Sequence, residues 1–151
     1  MYHPDYHQSE APGERLTALK RTAAVNDAYN ILRDPVNRGR WWSEFSGKKA
    51  ALTPKVPPDL GILVFEVQEA LEQLRSAETG VEHVLEHKRA TEVRLAERYA
   101  ALDGLFARFD AGVDEPSTDR WFAELETVLA DISYLRTLMR DIDRSLDNVE
   151  A

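Results

Sequence analysis

The chain has 151 residues, of which 43% are hydrophobic and 30% charged, a balance that suits one or two small soluble domains and excludes a disordered or membrane-embedded chain. It contains no cysteine, which removes disulfides, thiolate catalysis and cysteine-ligated zinc or iron–sulfur centres from consideration. The net charge of −8 is uneven: residues 1–50 carry 8 basic against 6 acidic side chains, and the remainder 11 against 21.

An acidic second part argues against nucleic acid as a partner, because phosphate binding needs clustered Lys and Arg. The asymmetry fits two different protein-facing surfaces. No apolar run approaches the roughly 20 residues a membrane span needs. The N-terminus lacks the basic-then-apolar order of a secretory signal, so no membrane association and a cytoplasmic setting are expected.

In chain order, the tripeptide His3-Pro4-Asp5 comes first. After Ala11-Pro12-Gly13 a helix is predicted from about Glu14 to Leu32, with Ala18, Thr22, Val25, Tyr29 and Leu32 recurring at steps of three or four along one face. Asp34-Pro35 marks a stop and a restart. Asp34 is placed to cap a second, short helix and Pro35 to sit in its first turn, where a missing N–H does no harm. That helix carries Trp41, Trp42 and Phe45 and ends near Gly47.

Residues 48–58, with Pro54, Pro57 and Pro58, cannot be helical throughout and read as a linker between a first part, residues 1–47, and a second, residues 59–151. Asp59 is expected to cap the next helix, whose apolar stripe is Leu60, Leu63, Val64, Val67, Leu71 and Leu74. Gly80 precedes a longer helix with Val84, Leu85, Leu95, Tyr99, Leu102, Phe106 and Phe109. A turn around Gly112 to Ser117 offers Ser117, Thr118 or Asp119 as caps for the last helix. Its stripe is Trp121, Leu125, Val128, Ile132, Leu135, Met139, Ile142 and Leu146. Three one-striped helices joined by short turns predict an antiparallel three-helix bundle, and the absence of strand-like alternation makes the chain all-α.

A rotation of about 100° per residue identifies apolar side chains that point away from such a bundle. Phe65 falls well off its stripe, beside Ile62, Gln68, Glu69 and Glu72. Tyr134 lies roughly a third of a turn from the centre of the last stripe. An exposed aromatic rimmed by carboxylates has the make-up of a protein-binding patch, although single exposed apolar residues are also common on surfaces that bind nothing.

His83 and His87 have the i, i+4 spacing of a metal pair, but Val84 stands where the zinc-protease helix needs a glutamate. Both lie off the stripe and read as solvated. His3 and Asp5 lack any accompanying nucleophile or oxyanion donor, and the seven glycines form no phosphate loop. No enzyme activity, cofactor or metal is expected.

His3-Pro4-Asp5 followed by "AAVNDAYNILRDPVNRGRWW" resembles the second half of a J-domain. The run from Asn26 to Trp41 is similar to the third J-domain helix and its exit in the HscB co-chaperones of iron–sulfur cluster assembly, and the acidic C-terminal bundle points the same way. The resemblance implies that His3, Pro4 and Asp5 contact a DnaK/HscA-type chaperone of the heat shock protein 70 family and stimulate its ATPase. It implies that the bundle binds an IscU-type scaffold through Val64, Phe65, Gln68, Glu69 and Glu72 on its first helix and Tyr134 on its last. Gln68 and Leu71 depart from the family pattern, which has an apolar residue and often an arginine there. A homodimer is compatible with the resemblance.

A complete J-domain has two further helices ahead of its loop, and neither stands here. The first part is therefore expected to be a partial J-domain and the native protein to be longer. Val25, Tyr29 and Leu32 would lack their main packing partner, each large apolar side chain left in water forgoing about 1.5–3 kcal/mol. The competing expectation is a helical adaptor or oligomerisation module with no chaperone role.

Overall fold

The computed structural model of the chain describes residues 12–47, 60–76, 80–112 and 115–150. They form five helices, α1 (Pro12–Arg33), α2 (Pro35–Phe45), α3 (Gly61–Arg75), α4 (Val81–Asp110) and α5 (Glu115–Glu150). No strand occurs among the described residues, so the all-α expectation holds. Two compact units divide between Gly47 and Lys48.

In the first unit, Asp34 separates α1 from α2 as its neighbours dictate. Its backbone is extended, and its Oδ1 accepts from the backbone N–H groups of Val36 at 2.8 Å and Asn37 at 3.0 Å. Pro35 occupies the first helical position, whose N–H would have had no partner in any case. Val36, Gly39 and Ser43, spaced three and four apart, are the buried side of α2. Trp41, Trp42 and Phe45 stack on one another with centroids 4.9–5.9 Å apart. On α1, Ala18 is buried, while Val25, Tyr29 and Leu32 are 60%, 58% and 63% exposed. Three of the five residues of the face read from the sequence are therefore open.

The second unit is the expected bundle. Arg108 pairs with Glu124, Arg98 with Asp131, and Lys88 with Asp143, so positions fall along α5 as they rise along α4 and the two run antiparallel. Leu60, just ahead of α3, and Val64, Val67, Leu71 and Leu74 of α3 close over Val84 of α4 and Leu135, Leu138 and Ile142 of α5 in one core cluster. Toward the α4–α5 turn, Leu102, Leu105, Trp121, Phe122, Leu125 and Ile132 are buried. The Trp121 indole N–H donates to the Leu105 carbonyl at 2.8 Å, which satisfies its one polar atom inside that core.

Three local details differ from the sequence reading or go beyond it. The helix after the linker begins at Gly61 behind Leu60, with no side-chain cap bond, and Asp59 lies outside the described residues. The last helix starts at Glu115, so Ser117, Thr118 and Asp119 are inside it rather than capping it. Proline is tolerated in a first helical turn, which lets α5 run back through Pro116. On α4, Thr91 is fully buried between the apolar residues of the stripe, its hydroxyl donating to the His87 carbonyl at 2.8 Å.

Candidate functional site: the outer face of α3

The inward face of α3 is consumed by the core, Val67 and Leu71 each being 1% exposed. At 100° per residue, Ile62, Phe65, Glu69 and Glu72 then share the opposite side. All four are exposed, with Ile62 at 76% and Phe65 at 69%. The face is graded: two apolar side chains on the first turns and carboxylates on the later ones. Arg75 Nη1 donates to Glu72 at 2.8 Å and Gln73 Nε2 to Glu69 at 3.4 Å, which orders both acids without covering them.

The other expected contacts are placed differently. Gln68 is exposed on the flank of this face. Val64 is 9% exposed and belongs to the core cluster, so it holds the helix down rather than presenting a surface. Tyr134 of α5 is half-buried and packs against the same cluster that contains Val64. One core thus supports both aromatics. His3, Pro4 and Asp5 lie outside the described residues.

Ile62 was noticed in the sequence as a neighbour of Phe65, but it does not figure among the expected contacts. In the structure it is the more exposed of the two. Its position three residues before Phe65 was the available signal.

The His83 and His87 rings meet edge to face with centroids 4.8 Å apart, and His83 Nδ1 lies 3.8 Å from Glu86. Among the described residues, no group of three or more His, Asp or Glu side chains is placed to hold a metal ion. No helix among them is long and apolar enough to cross a membrane. The outer face of α3 presents two exposed apolar side chains beside an acidic rim, the make-up of a protein-binding patch.

Comparison with known proteins places the chain beside one group of relatives. Two curated relatives are a co-chaperone protein HscB homolog of Shewanella baltica, 31% identical over 78 residues, and one of Bordetella petrii, 33% identical over 75 residues. The first match takes in 50% of this chain and 45% of the relative, the second 48% and 44%. The chain resembles the HscB co-chaperones. It spans about half the length of the curated HscB relatives it matches. No protein-family model matches it. Among solved structures, the chaperone HscB from Vibrio cholerae superposes with a TM-score of 0.68 at 20% identity, over 98% of this chain and 81% of that one. The HscB fold is therefore shared, at an identity that speaks for the fold alone.

Proposed function

We propose that this chain is a non-enzymatic, cytoplasmic co-chaperone of HscB type. It delivers an IscU-type iron–sulfur scaffold protein to a DnaK/HscA-type heat shock chaperone and stimulates that partner's ATPase. The scaffold docks on Phe65, Glu69 and Glu72, with Ile62 extending the apolar end, Gln68 on the flank and Tyr134 supporting from α5. His3, Pro4 and Asp5 contact the chaperone. The chain itself moves no electrons and breaks no bond; it brings two proteins together, and the nucleotide chemistry belongs to the chaperone.

The observation that carries this reading is the outer face of α3. Phe65 is 69% exposed on a helix whose opposite side is fully used by the core, so its ring contributes little to folding and is free for a partner. The similarity to HscB relatives supports an IscU-type scaffold as that partner.

The test is calorimetric titration of an IscU-type scaffold against the chain and its Phe65→Ala variant. An aromatic anchor at the centre of an interface is worth about 2 kcal/mol or more, so affinity is expected to fall by about thirtyfold with the melting temperature unchanged. Undiminished affinity, or a lowered melting temperature with altered self-association, would instead favour the adaptor reading.

A further inference from the structure

A second surface lies on α5, away from the α3 face. Arg136, Arg140 and Arg144 follow one another at four-residue steps and are all exposed, a ladder of guanidinium groups about 12 Å long. Arg136 stands two residues from Tyr134, about 160° round the helix, so the ladder and the Tyr134 flank look in different directions.

The ladder edges an open groove of about 490 Å³ lined by Leu95, Arg136, Met139, Arg140, Asp143, Arg144 and Asp147. Leu95 and Met139, both half-buried, form its apolar floor. One end is held rigid: Arg136 donates to the Tyr99 hydroxyl and lies 5.5 Å from the centroid of that ring. The acids in the groove are partly spent. Lys88 Nζ sits 2.7 Å from Asp143 Oδ1, and that hydrogen bond holds the Lys88 ammonium above the usual lysine range. Arg140 donates to the Thr137 hydroxyl at 3.4 Å.

We propose that this arginine-edged groove is a binding site for an acidic amphipathic segment of a partner protein, its apolar residues on Leu95 and Met139 and its carboxylates on Arg140 and Arg144. Guanidinium groups take carboxylates in bidentate pairs, and the spacing suits acids one helical turn apart. One feature sets a peptide above a nucleic acid. Asp143 and Asp147 interrupt the ladder, which discrete carboxylates can step around and a continuous phosphate backbone cannot. The inference stands independently of the scaffold-docking reading, because it uses neither Phe65 nor Tyr134.

The experiment titrates the full chain with a synthetic 15-residue helical peptide carrying leucines on one face and glutamates on the other, alongside versions with the glutamates replaced by glutamine or by lysine. Amide chemical shifts locate the site. The glutamate peptide is expected to perturb amides around residues 88–99 and 136–147 and to bind at least about tenfold more tightly than the glutamine version, with affinity falling as salt rises.

The double variant Arg140→Glu/Arg144→Glu is expected to lose glutamate-peptide binding and to gain the lysine peptide; Arg140→Gln/Arg144→Gln should lose the first without gaining the second. Both variants should melt like the parent, since these side chains are exposed. Equal binding of glutamate and glutamine peptides, or perturbations confined to α3, would overturn the proposal. So would a DNA duplex competing successfully for the groove. Self-association of the chain that the glutamate double variant abolishes would make a second copy the occupant and overturn it as well.

Discussion

Arg98 and Asp131 stand opposite one another between α4 and α5. Asp131 is 1% exposed and its Oδ2 lies 3.0 Å from Arg98 Nε. Taking a carboxylate out of water costs several kcal/mol and is offset only while the partner charge is present. Arg98→Met, which leaves that carboxylate buried and unpaired, is therefore expected to destabilise the chain by about 3–5 kcal/mol, read from the midpoint of urea unfolding. Replacing both partners, Arg98→Met with Asp131→Leu, should recover most of that loss, because no charge is then left buried. A double variant as unstable as Arg98→Met alone would contradict the pairing. Neither residue declared itself in the sequence. A lone Asp on a long helix rich in charge reads as solvated, and only the approach of a second helix turns it inward.

At the scale of elements, the punctuation was legible where a side chain acts on its own backbone. Asp34 before Pro35 is such a case, because the cap needs nothing from elsewhere in the fold and the bonds to Val36 and Asn37 follow from local geometry. Asp34→Ala should weaken the first unit by about 1 kcal/mol and reduce helical circular dichroism on heating. An unchanged melt would mean that packing rather than the cap sets the start of α2. The start of α5 was misread for the complementary reason. Three capping residues in a row invite a boundary, yet α5 begins two residues before the first of them.

The outer face of α3 was also legible, since helical rotation alone separates Phe65 from the Leu60–Leu74 stripe. What rotation did not separate was Val64, which sits at the edge of the stripe. Its burial depends on how closely α4 and α5 approach.

Across the whole molecule, the two units differ in how completely they hide their apolar faces. The second buries continuous stripes from three helices. The first leaves Val25, Tyr29 and Leu32 open, together with Leu16 at 53% and Leu19 at 46% exposure. Local stability follows buried apolar contact. Native-state hydrogen exchange should therefore show the strongest protection at Leu102, Leu125 and Ile132, with amides from Val25 to Leu32 exchanging much faster. Equal protection in both units would show that the open face of α1 is covered in solution.

The sequence by itself determined the helical class, the Asp34-Pro35 break, the three striped helices of the acidic part and the outward stance of Phe65. Each of these follows from periodicity or from a side chain bonding its own backbone. The tertiary structure alone decided how deeply Val64 is buried, that Asp131 finds Arg98, and that three arginines on α5 flank a groove floored by Leu95 of another helix. Such facts depend on which faces of distant helices meet, and no spacing within one helix carries the position of its neighbour.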